Sequence, residues 1–393
     1  MSSKLYDSIV IGGGIVGAAT AYHLVRQGAK TLLLDRHDPG RATDAGAGIL
    51  APEASDTKSE AWFDFAVEAV GYYPALIEQL ENEQDGDTGY AGCGRLTIAV
   101  SEDELERFEA ARTLIFARQK RRGLPKPDDL HDIAADEAQR LFPPLAPVLG
   151  AIYYRRAARV DGRLLAQALR RAAEGQGLSI KHASVEQLIV QPARLEGLGL
   201  KKRAVTGVVV DGEAVEAGNV VIAGGAWSHT FGEQLGLTLP VEPQRGQIIH
   251  LHLPDTDTTD WPLISAFRGH YLVPWPDQRV VVGATREDET GFQPYPTAAG
   301  IREVLSEALR VAPGLAQARI QEIRVGLRPQ TVDRLPILGP VPNIDHIYLA
   351  TGHGPTGLQL GPYSGKLIAD LISGQVLETD IGSFEVTRFR SLV

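Results

Sequence analysis

The segment Ile9-Val10-Ile11-Gly12-Gly13-Gly14-Ile15-Val16-Gly17 constrains this chain more than any other feature. A short apolar run at 6–11 reads as a buried strand, and 15–27 reads as a helix that Gly28 terminates. Gly12 allows a tight turn, Gly14 lets the backbone approach a pyrophosphate, and Gly17 lets the helix pack closely on the strand. The helix N-terminus, at Ile15 and Val16, turns unpaired N–H groups and the positive end of a dipole toward phosphates. A second apolar strand at 31–34 ends at Asp35, with Arg36 after it. Asp35 comes 23 residues after Gly12, close to the ~20-residue spacing at which an acid meets the ribose hydroxyls of a dinucleotide. That order implies a βαβ unit holding an ADP-containing cofactor; a purely structural glycine turn leaves the acid unexplained.

Residues 8–25 carry no formal charge and could pass for a membrane span or a signal core. The glycines within them and Asp7 at their edge favour the strand, turn and helix, so no targeting segment and no transmembrane helix is expected. A net charge of −10 argues against a nucleic-acid partner, and Lys201-Lys202-Arg203 reads as a solvated hairpin tip. Cys93 is the only cysteine, so no intrachain disulfide and no cysteine metal cluster can form, and no metal site is expected. One cysteine fits a reducing cytoplasm.

Helical patterns follow at 58–82, 102–122 (opened by Ser101 as a cap), 161–175, 301–311 and 358–372. Strands are expected near 179–181, 185–190, 205–210, 220–223, 248–251, 271–273, 280–282 and 347–350, and 37–55 reads as loop. Strands alternate with helices at both ends, whereas 240–325 reads as an antiparallel sheet plus a helix. The expectation is an α/β Rossmann-type cofactor domain, interrupted by an α+β domain containing that sheet.

A second glycine turn, Gly352-His353-Gly354-Pro355-Thr356-Gly357, joins a strand to the helix that opens at Leu358. With 36 residues after Gly357, another complete nucleotide-binding half is not expected. The turn would instead aim its helix N-terminus at a group the first unit already holds. A flavin suits that role, because the reduced ring carries negative charge that helix N–H groups stabilise.

Taken together the motifs resemble the D-amino-acid oxidase family of FAD-dependent oxidoreductases, especially its glycine oxidase and D-amino-acid dehydrogenase branches. Besides both glycine turns, the resemblance rests on the loop from Thr43 through Ala47, Gly48 and Ile49. It rests also on Val221-Ile222-Ala223-Gly224-Gly225-Ala226-Trp227-Ser228 and on Gly326-Leu327-Arg328-Pro329. It covers essentially the whole chain. It implies non-covalent FAD and a glutathione-reductase-like cofactor domain from 1–90, 152–232 and 326–393, with a substrate domain from 91–151 and 233–325. It places Thr43, Ala47, Gly48, Ile49, Gly224, Gly225 and Trp227 at the cofactor, and the backbone of Val185 at its adenine.

The resemblance further implies that Arg328 binds the substrate carboxylate beside the flavin. A guanidinium fork suits that task through two parallel charge-assisted hydrogen bonds; the alternative is an ion pair with Asp333. Tyr271 would add a third bond, unless it is simply a buried sheet tyrosine. The implied reaction is hydride transfer from the α-carbon of glycine or a D-amino acid to flavin N5. The imino acid then hydrolyses to a keto acid and ammonia, and oxygen or a quinone takes the electrons. A 2-hydroxy-acid substrate, or a non-enzymatic FAD module, stays open, as does a homo-oligomeric state.

Glycine oxidases often carry an arginine in the terminal turn where this chain has Pro355, which weakens a strict glycine or sarcosine assignment. His353 reads as a turn residue rather than a general base, and His270 as structural. Cys93 does not match a covalent flavin attachment point.

Overall fold

Tyr6–Ile11, buried at every residue but Asp7, lies between Thr31–Asp35 and Glu213–Ile222 and pairs in parallel with both. Ser179–His182 extends this sheet beyond Thr31–Asp35, and Ile347–Thr351 extends it beyond Glu213–Ile222, again in parallel. This computed structural model describes residues 5–57, 59–193 and 202–392. Because strand side chains alternate in direction, Val10, Leu33 and Val221 face a core built with Ile15–Arg26, Glu60–Glu83, Gly162–Gly175 and Gly357–Ile372. Ile9, Ile11, Leu34 and Ile222 face the other side. There Val185–Ala193 and Lys202–Val210 form an antiparallel meander that continues into Glu213–Ile222.

A second sheet runs in the order Arg319–Thr331, Val241–His252, Arg279–Gly283, Tyr271–Trp275, Leu263–Ala266, Arg95–Ala99, Gly150–Tyr154, Leu130–Asp132. It is antiparallel except where Leu263–Ala266 meets Arg95–Ala99. Helix Ala298–Val311 packs Val304, Ala308 and Val311 against one face. On the other face, Tyr271, Val273 and Ile248 meet Ala51, Ala54 and the helix Leu105–Arg122. Rossmann-type parallel strands and a largely antiparallel second sheet are the α/β and α+β parts expected. The boundaries drawn at 152 and 326 fall inside Gly150–Tyr154 and Arg319–Thr331, which belong whole to the second sheet.

Several local expectations are corrected. Ser101 makes no side-chain cap; a short 3-10 turn, Glu102–Glu104, precedes the helix, and the buried Glu104 carboxylate accepts from Val100 N and Arg310 instead. The 37–55 stretch is not all loop: it contains the turns Ala42–Ala45 and Pro52–Ala54 and the short strand Ile49–Leu50. Arg203 is exposed, as a solvated tip requires, but it lies in the strand Lys202–Val210 and donates to the Leu235 carbonyl at 2.9 Å, while Lys201 lies outside the described residues. Among the described residues, no helix is long and apolar enough to cross a membrane.

Candidate active site

The first glycine turn takes the tight form its sequence requires. Gly12 has φ +104°, and a Cβ there would fall 2.5 Å from the Ala223 carbonyl oxygen. A Cβ on Gly17 would fall 1.8 Å from the Gly12 carbonyl oxygen, so helix Ile15–Arg26 sits against the turn at backbone contact. Gly14 caps this helix without a side-chain bond, and the Thr43 hydroxyl accepts from Ile15 N at 3.0 Å. One of the N–H groups expected to be open is thus already partnered, by a residue expected at the cofactor.

These turns border a cavity of about 420 Å³ that draws its wall from both sheets. Gly12, Gly14, Ile15, Val16, Asp35, Arg36 and Val185 line it from the first βαβ unit and the start of the meander. Thr43, Ala47, Gly48 and Ile49 line it from the following loop, and Gly224, Gly225 and Trp227 from the turn after Glu213–Ile222. His353, Gly354, Pro355, Thr356, Gly357 and Leu358 line it from the terminal turn, and Tyr271 and Arg328 from the second sheet. Two expected residues are not on the wall. Gly17 is buried behind it, holding helix to turn, and Gly352 shapes the bend with φ +74°. The terminal turn is tied to the second sheet by a bridge between His353 and Gln330, two residues beyond Arg328.

The wall suits an extended, phosphate-bearing group. Bare backbone lines it at Gly12–Gly14 and Gly224–Gly225, and helices Ile15–Arg26 and Gly357–Ile372 begin there without side-chain caps. The amide of Gln359 is buried on the wall: Oε1 accepts from Ala51 N, while Nε2 has no partner in the protein. A buried donor left this way calls for an acceptor from a bound molecule or water.

Charge on the wall is unevenly matched. Its carboxylates are Asp35 and Asp38. Asp35 accepts from Arg41 Nη1 at 2.8 Å, and Asp38 pairs with Arg36 at 2.8 Å. Arg95, Arg286 and Arg328 share the wall, and neither of its two carboxylates forms an ion pair with any of them; the charges of Asp56 and Glu287 reach Arg95 and Arg328 from off the wall. Arg328 Nη1 donates to the Thr285 carbonyl (2.9 Å) and to Gln244 Oε1 (3.2 Å), and its fork lies over Gly246, where a Cβ would fall 2.3 Å from Nη2. Asp333, the alternative partner, is instead bound by Arg388 at 2.7 Å.

Burial lowers the pKa of the Arg328 guanidinium, and the nearby Arg286 charge adds to that. Burial raises the Tyr271 phenol, opposed by the charges of Arg328 and then Arg286. Tyr271 therefore stays protonated and its hydroxyl remains a donor near neutral pH. His353 is buried, with Nε2 3.0 Å from Ser364 Oγ, and burial lowers its pKa to about 3. His270 Nδ1 lies 3.0 Å from the Arg268 carbonyl, away from the cavity wall. Cys93 is off the wall too, and burial pushes its thiol up to about 11.

Sequence reasoning missed Arg41, Arg95, Arg286 and Gln359. Arg41 carried a faint signal, since Asp44 follows at a spacing that allows a local pair. Arg286 sits in Thr285-Arg286-Glu287-Asp288-Glu289, which reads as an ordinary solvated charge run.

Comparison with known proteins places these features. Residues 7–371 match the model of the family described as FAD dependent oxidoreductase, abbreviated DAO. An uncharacterised oxidoreductase, YurR, of Bacillus subtilis (strain 168) is 37% identical over 96% of this chain and 97% of its own length. A glycine oxidase of Bacillus licheniformis is 30% identical over 98% of both chains. The crystal structure of an iminodiacetate oxidase (IdaA) from Chelativorans sp. BNC1 is similar with a TM-score of 0.85 and 38% identity, covering 96% of this chain and 98% of that one.

Proposed function

The chain belongs to the DAO family of FAD-dependent oxidoreductases, and on that premise we propose that it oxidises a small amino acid, glycine or a D-amino acid, at its CH–NH bond. The observation that carries this reading is Arg328, a guanidinium on the cofactor cavity with no carboxylate partner, beside the Tyr271 hydroxyl. FAD, if held in this cavity, would supply a two-electron acceptor for hydride.

Every other part of the chemistry falls to this chain's residues. Arg328 receives the substrate carboxylate through its fork, and the bonds from Nη1 to Thr285 and Gln244 keep that fork from swinging. Tyr271 adds a hydroxyl donor. Held by three bonds, the α-carbon has few orientations left, and positioning of this kind lowers a barrier by removing the entropy of encounter. The amine nitrogen, once neutral, forms the C=N bond as the hydride departs, and hydrolysis of the imino acid gives a keto acid and ammonia. His353 is an uncharged imidazole near neutral pH, buried and bonded to Ser364, so it orders the turn rather than serving as a base.

The first βαβ turn and the terminal helix N-terminus would hold FAD non-covalently: the cavity wall includes no cysteine. Oxygen is the acceptor in this reading, with a quinone as the alternative. Anaerobic mixing with glycine, sarcosine, D- and L-amino acids, proline and 2-hydroxy acids should bleach the flavin with one of the amines. Bleaching by 2-hydroxy acids alone would overturn the reading. Repeating the panel in air should yield hydrogen peroxide with the same substrate; bleaching without peroxide would make the protein a dehydrogenase.

A further inference from the structure

We propose that Arg286 is a second carboxylate anchor beside Arg328 and Tyr271, and that the preferred substrate is an amine carrying two carboxylates. The inference rests on the amine-oxidation reading above and narrows its substrate class.

Arg286 is held in place by the protein. Its Nη1 donates to the Gly269 carbonyl at 2.8 Å, at the turn leading into the strand that carries Tyr271. Gly269 has φ +84°, and a Cβ there would fall 2.7 Å from that same nitrogen. The backbone on the other side is tied as well, because Thr285, the residue before Arg286, gives its carbonyl to Arg328. The two guanidiniums are thus braced through adjacent residues and border one cavity.

Glu287 and Asp288, the two acids that follow Arg286 directly, are engaged elsewhere. Glu287 accepts from Arg245 at 2.6 Å, from Gln247 Nε2 at 2.6 Å and from the Thr285 hydroxyl at 2.7 Å. Asp288 accepts from Gln244 at 2.8 Å. Meanwhile Arg95 adds a third positive charge to the wall; it donates to the Ala51 carbonyl, and its Nε is buried without a partner. A substrate with one carboxylate would engage Arg328 and leave Arg286, exposed at the border of the same cavity, without an acidic partner. A second carboxylate on the substrate, reached through the amine nitrogen or through a side chain, gives Arg286 a charge-assisted partner.

The test compares wild type with Arg286→Leu and Arg286→Lys on glycine, iminodiacetate, D-aspartate and L-aspartate. Wild type should prefer a dicarboxylate by kcat/KM. The Arg286→Leu change should lower kcat/KM for that dicarboxylate by roughly 10-fold or more, as expected for losing a charge-assisted hydrogen bond. It should alter glycine turnover only a few-fold, and Arg286→Lys should recover part of the loss. The two aspartates and iminodiacetate distinguish a side-chain carboxylate from one on nitrogen. Equal losses on glycine and on the dicarboxylate, or a wild-type preference for glycine, would overturn the proposal. Oxydiacetate, which has both carboxylates and no amine, provides a readout without turnover: its shift of the flavin spectrum should be tight in wild type and weak in Arg286→Leu. If no amine reduces the flavin while oxydiacetate still binds through Arg286, amine oxidation fails and the anchor stands; if oxydiacetate binds both forms alike, the anchor fails by itself.

Discussion

Arg328 Nη1, on the strand Arg319–Thr331, bonds at 2.9 Å the carbonyl of Thr285, two residues past the strand Arg279–Gly283. That bond orients the fork proposed to receive the substrate and ties the backbone just before Arg286. Arg328→Ala should therefore raise KM steeply, lowering kcat/KM by roughly 10²- to 10³-fold, while FAD stays bound. Arg328→Lys should recover little, because an ammonium cannot reproduce the fork. Steady-state kinetics with a flavin absorbance count checks both, and unaltered turnover in Arg328→Ala would remove the carboxylate role.

Tyr271→Phe keeps the ring in its sheet position and removes only the hydroxyl. Loss of one hydrogen bond is worth about 1 kcal/mol, so KM should rise ~3- to 10-fold with kcat little changed. A fall in kcat without a change in KM would show that Tyr271 acts on the chemical step instead.

Gly17→Ala puts a methyl 1.8 Å from the Gly12 carbonyl oxygen, where backbone and not a flexible side chain must yield. Overpacking of this kind costs about 1–3 kcal/mol. Thermal unfolding should move to lower temperature and the purified protein should retain less FAD. An unchanged melting temperature with full flavin would mean that the helix can shift away at no cost.

Asp35 stands over Gly13, where a Cβ would lie 2.6 Å from its carboxylate, and Arg41 holds it there. Asp35→Ala should weaken FAD about tenfold or more, through loss of the charged acceptor expected at the ribose. Arg41→Ala should weaken it less, since Asp35 remains. Titration of the apoprotein with FAD gives both dissociation constants, and the reverse ranking would assign the binding role to Arg41.

Burial lowers the pKa of His23, His250 and His353 to about 3, helped by nearby cations at the first two. In the unfolded chain each takes up a proton near pH 6.5. Between about pH 6.5 and pH 3 the unfolded state binds more protons, so stability falls as pH falls through that window. Denaturant unfolding at pH 7.5 and pH 5 should show the loss, and His353→Gln should make it smaller. A loss of the same size in the variant would exclude His353 as a contributor.

How much of this was legible beforehand follows from where the information lies. The strand, glycine turn, helix and acid from Tyr6 to Asp35 depend on neighbours in the chain, so periodicity and turn chemistry sufficed. The same holds for the terminal turn before Gly357–Ile372 and for the reading of an ADP-containing cofactor. Local rules were less reliable where a distant partner competes. Ser101 looks like a cap, but the Glu104 carboxylate reaches Val100 while Arg310, from another helix, holds it.

Arg328 was expected beside the cofactor from the sequence, but its sharing of one cavity wall with Arg95 and Arg286 was decided by tertiary structure. Arg95, Arg286 and Arg328 lie far apart in sequence, and pairing registers in the second sheet bring their segments to one wall. Whether each charge is free is equally non-local: Glu287 is adjacent to Arg286 in sequence but is claimed by Arg245 on a neighbouring strand. Hydrophobic period and glycine spacing determine what a segment becomes; only the folded contacts determine which of its charges remain to meet a substrate.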